Sequence, residues 1–349
     1  MTGLGERGGT GRKAGRRSRA LKAAGLTLAA VLAVGAGAAG WAYRHLDGNI
    51  KSVDIDNALG DDRPPKAVTT PSAPASASPT PTEAVNLLVL GSDSRSGAAN
   101  QALGGGDSTG ARSDTAMVVH IDAGRTTATV VSIPRDTLVT RPSCPLPGGG
   151  STATAYGAMF NTAYAVGGPA CAVKTVESIT GIRMDHYVEV DFSGFARLVD
   201  ALGGVTVTTD VDIDDKDSRL HLAAGVHHLD GAGALALART RHGIGDGSDL
   251  GRIGLQQTLV KALLERIAST DLLSSPTRLY EVADAATGSL TTDTGLNSLA
   301  ELTEFGRSLK GLSAQHVRTV TMPVAPAPSD HNRVVALEPA ASALWKSLK

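Results

Sequence analysis

Runs of hydrophobic residues predict several short strands in the middle of the chain. Residues 85–90 form a short apolar run that ends at Gly91, which is typical of a buried strand. Residues 116–121 and 127–133 are rich in valine and isoleucine, and the turn between them predicts an antiparallel hairpin. Further strands are predicted over residues 186–191, 205–208 and 317–322.

Longer apolar patterns predict helices between and after these strands. Residues 160–180 are expected to form a helix interrupted at Gly167–Pro169, and residues 192–202 a helix that ends at two glycines. Strands mixed with helices indicate an α/β fold, which we interpret as a single-domain α-β-α sandwich with a mixed central sheet. The remaining predicted helices cover residues 231–239, 252–269, 277–286 and 296–309.

The N-terminal region has a different pattern. Residues 1–22 form a basic tail in which Glu6 is the single acidic residue, whereas residues 23–43 carry no charge. At about 1.5 Å per helical residue this stretch could cross a bilayer, and the basic tail before it predicts a cytoplasmic N-terminus. We therefore expect a single-pass transmembrane anchor in the cell membrane, with the rest extracellular. The alternative is a cleaved signal peptide with a small-residue site at residues 36–38.

Composition sets the expected limits of the folded part. Residues 63–82 are rich in Pro, Ala, Ser and Thr and have almost no large apolar side chains, so residues 44–83 are expected to be a disordered linker. The folded domain is then expected over residues 84–325. Residues 326–349 are expected to be a C-terminal tail, too short to form a second domain.

The chain has two cysteines, Cys144 and Cys171, both on the predicted exported side. In an oxidising compartment we expect a disulfide between them, which would hold the Gly/Pro-rich loop at residues 142–150. The alternative is two free buried thiols.

Sequence motifs typical of several other protein classes are absent: the chain has no Walker lysine motif, no Gly-x-Ser-x-Gly elbow and no zinc-type His/Cys spacing. Aromatic residues make up only 3% of the chain, so we expect no nucleic-acid partner.

Two aspartates lie where the first predicted strands end and begin. Asp93 follows the first strand, and Asp114 precedes the second, so both could lie at one edge of the sheet. Two carboxylates with water and phosphate oxygens could hold Mg²⁺ or Mn²⁺, and such a cation would neutralise a diphosphate. The alternative is that both aspartates only cap turns.

Several arginines also lie near the ends of predicted strands and helices. Arg135 lies just past a predicted strand, where ligands usually bind α/β sheets, although a salt bridge to the neighbouring aspartate is the alternative. Arg239 and Arg241 lie near a helix C-terminus, where they would also interact favourably with the helix dipole. Arg252 and Gln256 are four residues apart and share a helix face. Guanidinium groups match phosphate oxygens, so these residues predict a diphosphate site.

The segment between these arginines, residues 242–251, is rich in glycine. A glycine-rich segment flanked by arginines fits a flexible anion-binding loop, although a solvated loop is the alternative. It contains Asp249, which is a candidate general base.

Seven segments carry a further set of motifs, in chain order at residues 85–95, 112–115, 132–137, 192–205, 229–241, 249–252 and 256–257. Taken together, these motifs resemble the LytR-CpsA-Psr family of envelope glycopolymer transferases. At Leu255 the chain departs from the family, which often has an arginine there, so one phosphate contact is missing or is supplied by another arginine.

The resemblance implies a membrane-anchored phosphotransferase that moves a glycopolymer from a polyprenyl-diphosphate carrier to peptidoglycan, as a phosphodiester on a muramic acid 6-hydroxyl. It implies that Asp93 and Asp114 hold magnesium and that the polyprenyl chain lies in an apolar tunnel between sheet and helices. A polyprenyl-diphosphate hydrolase and a non-catalytic envelope-binding module are the alternatives. By the same resemblance Arg135, Asp114, Arg239 and Arg241 are catalytic, and the diphosphate is bound by Arg95, Arg112, Arg135, Arg239, Arg241, Arg252 and Gln256.

Overall fold

The computed structural model describes residues 33–66, 83–92, 113–146, 148–241, 249–269 and 275–349. The chain divides into two units, residues 1–48 and Asn49–Lys349. In the first unit residues 33–48 are helical. None of the helices in the described parts of the chain combines the length and apolar composition that a membrane crossing requires. Much of the expected anchor, residues 23–32, and the whole basic tail lie outside the described residues, so the anchor stays a prediction.

A mixed seven-stranded sheet forms the centre of the second unit. Its strands, numbered in chain order with the other described strands, are β1 (Lys51–Val53), β2 (Val85–Ser92), β3 (Ser113–Ile121), β4 (Ala128–Ser132), β7 (His186–Asp191), β12 (Leu290–Asp293) and β13 (Val317–Thr321). They lie in the order β1-β12-β7-β2-β3-β4-β13. Three neighbouring pairs run parallel, β1 with β12, β7 with β2 and β4 with β13, and the other pairs are antiparallel.

The described residues also form four two-stranded sheets and a set of helices. The strand pairs are β5 (Leu138–Arg141) with β6 (Ala155–Met159), β8 (Val205–Thr209) with β11 (Gly225–Leu229), β9 (Ile213–Asp215) with β10 (Leu220–Leu222), and β14 (Val324–Ala327) with β15 (Asp330–Ala336). The helices are α1 (Ile55–Leu59), α2 (Thr162–Thr180), α3 (Phe192–Ala201), α4 (Gly231–Arg239), α5 (Asp249–Ser269), α6 (Pro276–Thr287), α7 (Leu299–Ser308) and α8 (Ala340–Lys346).

Helices cover both faces of the central sheet. Because side chains alternate along a strand, Leu88 and Leu90 of β2 enter the core beneath α2 and α8, and Leu87 enters the core beneath α5 and α7. Full burial of one leucine stabilises the fold by about 1.5–3 kcal/mol. The structure thus confirms the expected α/β fold with a mixed central sheet.

Residues 51–66, which were expected in the linker, are part of the folded unit. Strand β1 pairs with β12, the side chains of Ile55 and Leu59 are buried in the core, and Arg63 forms an ion pair with Glu177 on α2. The linker prediction is therefore wrong for this stretch. A three-residue strand and a five-residue helix are too short to leave a pattern that outweighs composition. Residues 67–82 of the expected linker lie outside the described residues.

The C-terminal residues also differ from expectation. Instead of a tail, residues 326–349 complete the β14–β15 hairpin and form α8, whose Trp345 is buried in the core, as is Leu348 just beyond it. The expected domain limit at residue 325 is wrong because one tryptophan buries about 150–250 Å², enough to dock a short helix.

Cys144 and Cys171 form the expected disulfide, with their Cα atoms 5.1 Å apart. The bond joins the segment after β5 to α2, just beyond the helix interruption at Gly167 and Gly168. Gly168 has a positive φ of 63° at the interruption, and residue 167 must be small, because a Cβ atom at Gly167 would lie 2.7 Å from the Cβ atom of Cys171. The sequence-based disulfide and the helix interruption are both confirmed.

Candidate active site

Several predicted site residues meet at one edge of the central sheet. Strands β2, β4 and β7 end at this edge and the antiparallel β3 begins there: Ser92 pairs with both Ser113 and Asp191, and Ser132 pairs with Met117. Ligands of α/β sheets usually bind beyond the carboxyl ends of the strands. This location is therefore where the sequence predicted a ligand to bind.

Arg135 lies two residues beyond Ile133, whose N–H still donates to β3 at Ala116. The backbone N–H of Arg135 donates to Oδ2 of Asp249 at 3.2 Å, and its Nε lies 3.5 Å from Oδ1 of the same carboxylate. Its Nε is also 3.6 Å from Oδ2 of Asp136. The salt bridge to Asp136 that the sequence left open is thus present, together with a contact from a distant helix.

Asp249 opens α5 and joins two arginines. Its Oδ1 also contacts the guanidinium of Arg252, one helical turn further on, whose side chain is only 3% exposed. A carboxylate in the first turn of a helix is stabilised by the helix dipole, so this position suits an acidic residue. The geometry therefore brings Arg135 and Arg252, 117 positions apart in the chain, to one carboxylate. The general-base role of Asp249 stays a prediction.

Gln256 and Gln257 attach α5 to the edge. The Nε2 atom of Gln256 donates to Thr115 Oγ1 at 2.9 Å and to the carbonyl oxygen of Ala238 at 3.0 Å. Gln257 donates to Ser132 Oγ at 3.3 Å and to a threonine hydroxyl at the end of β13. Both hydrogens of the Gln256 amide are therefore used within the protein, and its predicted contact with a diphosphate stays a prediction.

Helix α4 positions Arg239. The helix is capped by Asp230, and Gly231 lies so close to Ala196 of α3 that a side chain there would overlap its carbonyl oxygen. At the other end of α4 the guanidinium of Arg239 lies 5.5 Å from the ring centroid of Phe192, the residue that follows β7. A cation–π contact of this kind contributes about 0.5–1 kcal/mol.

Arg241 is held through its backbone. Its N–H donates to Oδ2 of the buried Asp215 at 2.7 Å, and Oδ1 of Asp215 accepts from the N–H groups of Asp217 and Ser218. Arg239 thus ends α4, and Arg241 follows the helix on a loop that is fixed by a buried carboxylate.

The predicted metal site is only partly described. Asp93, Arg95 and Arg112 lie outside the described residues, and for Asp114 the structure gives the backbone, in β3 beside the end of β2. The carboxylates of Asp93 and Asp114 are of a chemical type that suits a hard cation such as Mg²⁺. In the described stretches no three His, Cys, Asp or Glu side chains gather in a way that could hold a metal ion. The metal site therefore stays a prediction.

A buried polar cluster beneath the edge was missed by sequence analysis. The hydroxyl of Tyr164 contacts both carboxylate oxygens of Glu189 at 2.8 and 3.0 Å, and the hydroxyl of Tyr187 donates to Glu189 at 2.7 Å. Burial, followed by the charge of Glu189, raises the pKa of both tyrosines, so both hydroxyls stay protonated. The regular alternation of residues 186–191 gave no signal for this cluster beyond Glu189 on an inward position. Arg333, on β15, was also missed.

The face of the sheet that packs against α5 and α7 is less tightly covered than the opposite face. Val89, Val119 and Val188 lie on central strands but are only partly buried, whereas Leu88 and Val118 on the opposite face are completely buried. Partly exposed apolar side chains on central strands leave hydrophobic surface within reach of the site.

Comparison with known proteins agrees with the motifs and the fold. Residues 42–349 match the family model described as the LytR_cpsA_psr family. The chain belongs to the LytR_cpsA_psr family. It is 36% identical over 250 residues to the probable cell wall biosynthesis protein LcpB of Corynebacterium glutamicum, which covers 70% of this chain and 55% of that protein.

A second relative is TagV of Bacillus subtilis, named polyisoprenyl-teichoic acid–peptidoglycan teichoic acid transferase. It is 36% identical over 177 residues, covering 49% of this chain and 43% of that protein. The chain thus spans about half the length of the curated relatives it matches.

Solved structures of the family share the fold. The crystal structure of Bacillus subtilis TagV has a TM-score of 0.57 at 26% identity and covers 76% of this chain and 96% of that chain. The LytR-Csp2A-Psr enzyme from Actinomyces oris also has a TM-score of 0.57, at 25% identity, and covers 82% of this chain and 96% of that chain. The expected family is therefore confirmed.

Proposed function

We propose that this protein is a phosphotransferase of cell wall assembly. It transfers a glycopolymer from a polyprenyl-diphosphate carrier to peptidoglycan, forming a phosphodiester at a muramic acid 6-hydroxyl. The observation that carries the proposal is the convergence of Arg135 and Arg252 on Asp249 at the carboxyl edge of the sheet, where Arg239 contacts Phe192, the residue after β7. The names of the relatives, which include a teichoic acid transferase and a probable cell wall biosynthesis protein, support it.

Arginines in this setting suit a diphosphate. Guanidinium groups donate in pairs to phosphate oxygens, and their attraction for an anion strengthens as water is excluded. The side chain of Arg252 is almost completely buried and that of Arg135 mostly so. Asp249 holds both guanidiniums in place before the substrate arrives, so little reorganisation is needed when the diphosphate binds.

Asp93 and Asp114 are the residues that would hold Mg²⁺ or Mn²⁺, with Arg95 and Arg112 supporting the same phosphates. When bound, the cation would neutralise diphosphate charge and that of the departing polyprenyl phosphate. The position of Asp114 on β3, where β2 ends, supports this assignment.

The reaction balances as a substitution at phosphorus. The acceptor hydroxyl oxygen bonds to the phosphorus that carries the sugar, and the bond from that phosphorus to the bridging oxygen breaks. Polyprenyl phosphate leaves with the electron pair, and the hydroxyl proton passes to a base, for which Asp249 is the candidate. Arg135, Arg239 and Arg241 stabilise the charge that develops on the phosphoryl oxygens.

The polyprenyl chain would lie along the α5 face of the sheet. Helix α5 carries Asp249 and Arg252 in its first turn, and its Val260 and Leu264 pack against the same buried cluster as the partly exposed valines of the sheet. At about 1.5 Å per residue, these apolar side chains lie roughly 12–18 Å from Arg252 along the helix. One helix would therefore contact both the diphosphate and the lipid, which supports an apolar tunnel at this face.

We further propose that residues 23–43 anchor the protein in the cell membrane, with the enzyme domain outside. The disulfide between Cys144 and Cys171 supports an exported domain, because disulfides persist in oxidising compartments.

The test is transfer by the full-length chain, purified in detergent and supplied with a polyprenyl-diphosphate oligosaccharide, Mg²⁺ and peptidoglycan fragments. Mass spectrometry should detect a phosphodiester-linked product. Arg135→Ala and Asp114→Ala should each reduce transfer by about 100-fold or more. Arg318→Gln, an exposed change near the amino end of β13, is the matched control and should leave transfer unchanged.

Each alternative has its own outcome. Release of polyprenyl phosphate without attachment to peptidoglycan would identify a hydrolase. Tight lipid binding without turnover would identify a binding module. Full transfer by Arg135→Ala would refute the site assignment.

A further inference from the structure

The C-terminal hairpin reaches the candidate active site. Strand β15 lies beside the segment that follows Arg135: the N–H of Val334 donates to the carbonyl oxygen of Asp136 at 3.5 Å, and Thr137 forms a parallel bridge with Val334. This backbone contact brings the preceding residue, Arg333, to the loop after β4. The sequence had indicated a C-terminal tail here, so no role was expected.

One carboxylate lies between Arg333 and Arg135. Nη1 of Arg333 is 3.7 Å from Oδ1 of Asp136, while Nε of Arg135 is 3.6 Å from Oδ2 of the same side chain. The two guanidiniums are therefore neighbours across a single carboxylate, and Arg333 lies on its outer side.

Arg333 is held loosely. Its side chain is 32% exposed, its contact with Asp136 is long, and its other carboxylate contact, with Oδ2 of the partly exposed Asp330, measures 3.8 Å. Its Nη1 also donates to the neighbouring carbonyl oxygen of Asn332 at 3.2 Å. Ion pairs of this kind contribute little to stability, so the guanidinium can turn to a substrate anion at small cost.

Arg333 supplies positive charge on the outer side of Asp136. Asp136 and Asp249 match the charges of Arg135 and Arg252 one for one, so these four side chains carry no excess positive charge. Without Arg333, the outer side of the Asp136 carboxylate would repel an incoming anion. Arg333 offsets that charge, and its partly exposed side chain, whose ion pairs are both long, leaves N–H donors accessible to an anion.

We propose that Arg333 is a substrate-binding residue that contacts an oxyanion at the outer rim of the site. The inference rests on the proposed function and extends it, because it adds the C-terminal hairpin to the substrate site. The oxyanion belongs either to the diphosphate of the donor lipid or to a carboxylate of the acceptor glycan. Both sources share the chemistry that a guanidinium recognises.

The experiment compares Arg333→Gln with wild type and with Arg318→Gln in the full-length chain. Arg318 is an exposed arginine on β13 opposite Thr129, away from the strand end that leads to Arg135, so its loss removes the same charge elsewhere. Binding of farnesyl diphosphate is measured by calorimetry, and transfer kinetics are measured with donor and acceptor varied separately. Arg333→Gln should weaken the binding of one of the two substrates by about tenfold, since a hydrogen bond to a charged group is lost. The value of kcat should change less than twofold.

The two sources give different results. Weaker farnesyl diphosphate binding and a raised donor KM identify the diphosphate, whereas unchanged binding with a raised acceptor KM identifies the acceptor carboxylate. Arg333→Lys should give an intermediate effect, because it keeps the charge without the planar fork. If Arg333→Gln melts at a lower temperature than wild type, Arg333→Lys replaces it as the variant in which substrate binding is compared.

Unchanged values for both substrates in Arg333→Gln would overturn the inference while leaving the proposed function intact. An effect of equal size in Arg318→Gln would also overturn it, since general charge loss would then explain the result. A wild-type protein that neither binds farnesyl diphosphate nor transfers glycopolymer would instead overturn the proposed function, and this inference with it.

Discussion

Replacing Arg63 with alanine should destabilise the fold by about 3–5 kcal/mol, because it breaks a buried ion pair. Nε of Arg63 lies 3.1 Å from both carboxylate oxygens of Glu177, and Nη2 lies 2.6 Å from one of them. Nη2 also donates to the carbonyl oxygen of Met184 at 2.7 Å. Both side chains of the pair are only 2% exposed.

The magnitude follows from what the substitution leaves behind. In Arg63→Ala, the Glu177 carboxylate stays buried after losing its guanidinium, although it still accepts from the N–H of Met184 at 2.9 Å. The second contact of Arg63, with Asp56, adds little because Asp56 is 69% exposed. For the roughly 300 residues of the second unit, an unfolding entropy of about 0.6 kcal/mol/K converts this loss into a Tm decrease of about 5–8 °C.

The assay is urea unfolding followed by circular dichroism, together with thermal melting. Lys174→Ala is the matched control, since it removes the contact between Lys174 and Asp62, whose side chain is 88% exposed. The contact between Lys174 and Asp62 joins the same segment to the same helix, but its loss should lower the free energy of unfolding by less than about 1 kcal/mol. A double variant, Arg63→Met with Glu177→Leu, should recover part of the loss, because apolar side chains can replace a buried ion pair.

A loss below about 1 kcal/mol in Arg63→Ala, no larger than in the control, would refute the reasoning. It would mean that the pair does not hold residues 51–66 against α2. The stability of this segment would then come from the apolar contacts of Ile55 and Leu59 alone.

Three further predictions concern other parts of the fold. Asp249→Asn should lower kcat/KM by about 10- to 100-fold, because Arg135 loses its charged partner, and an unchanged value in the transfer assay would contradict that role. Reducing the Cys144–Cys171 bond should lower the free energy of unfolding by about 3–4 kcal/mol for a separation of 27 residues, and two free thiols detected by mass spectrometry in the purified, unreduced protein would exclude the bond. Burial opposes ionisation of Asp293, but hydrogen bonds from a histidine and two backbone N–H groups outweigh it and lower its pKa. Its charged form therefore stabilises the fold above about pH 4, and this stabilisation is lost as the pH falls through the lowered pKa. Asp293→Asn should therefore lower the free energy of urea unfolding by about 1–2 kcal/mol near pH 7 and by clearly less near pH 3.

The strands and helices of the core could be predicted from sequence because each has a strong local pattern. The predicted strand at residues 85–90 corresponds to β2 (Val85–Ser92), and the predicted interruption of the helix at residues 160–180 is present in α2. In both cases the spacing of the apolar residues indicates which side chains are buried in the folded protein. The disulfide could be predicted because the chain has two cysteines and an exported location was expected.

Elements that depend on distant partners could not be predicted in the same way. Strand β1 has three residues and exists because β12, more than 200 residues away in sequence, offers a free edge. The C-terminal helix α8 is short and docks through Trp345, which no periodic pattern announces. Isolated short elements are unstable in water, so their formation depends on tertiary contacts.

The sequence by itself determined the residue types of the site, the order of the motifs and the family, because these follow from local chemistry and from resemblance. Only the tertiary structure decided which side chains meet. It joined Arg135 and Arg252 through Asp249, used the Gln256 amide to hold α5 at the sheet, and brought Arg333 beside Asp136. Such contacts link residues that lie far apart in the chain, and they depend on strand order, helix placement and packing together. A linear pattern contains none of these three.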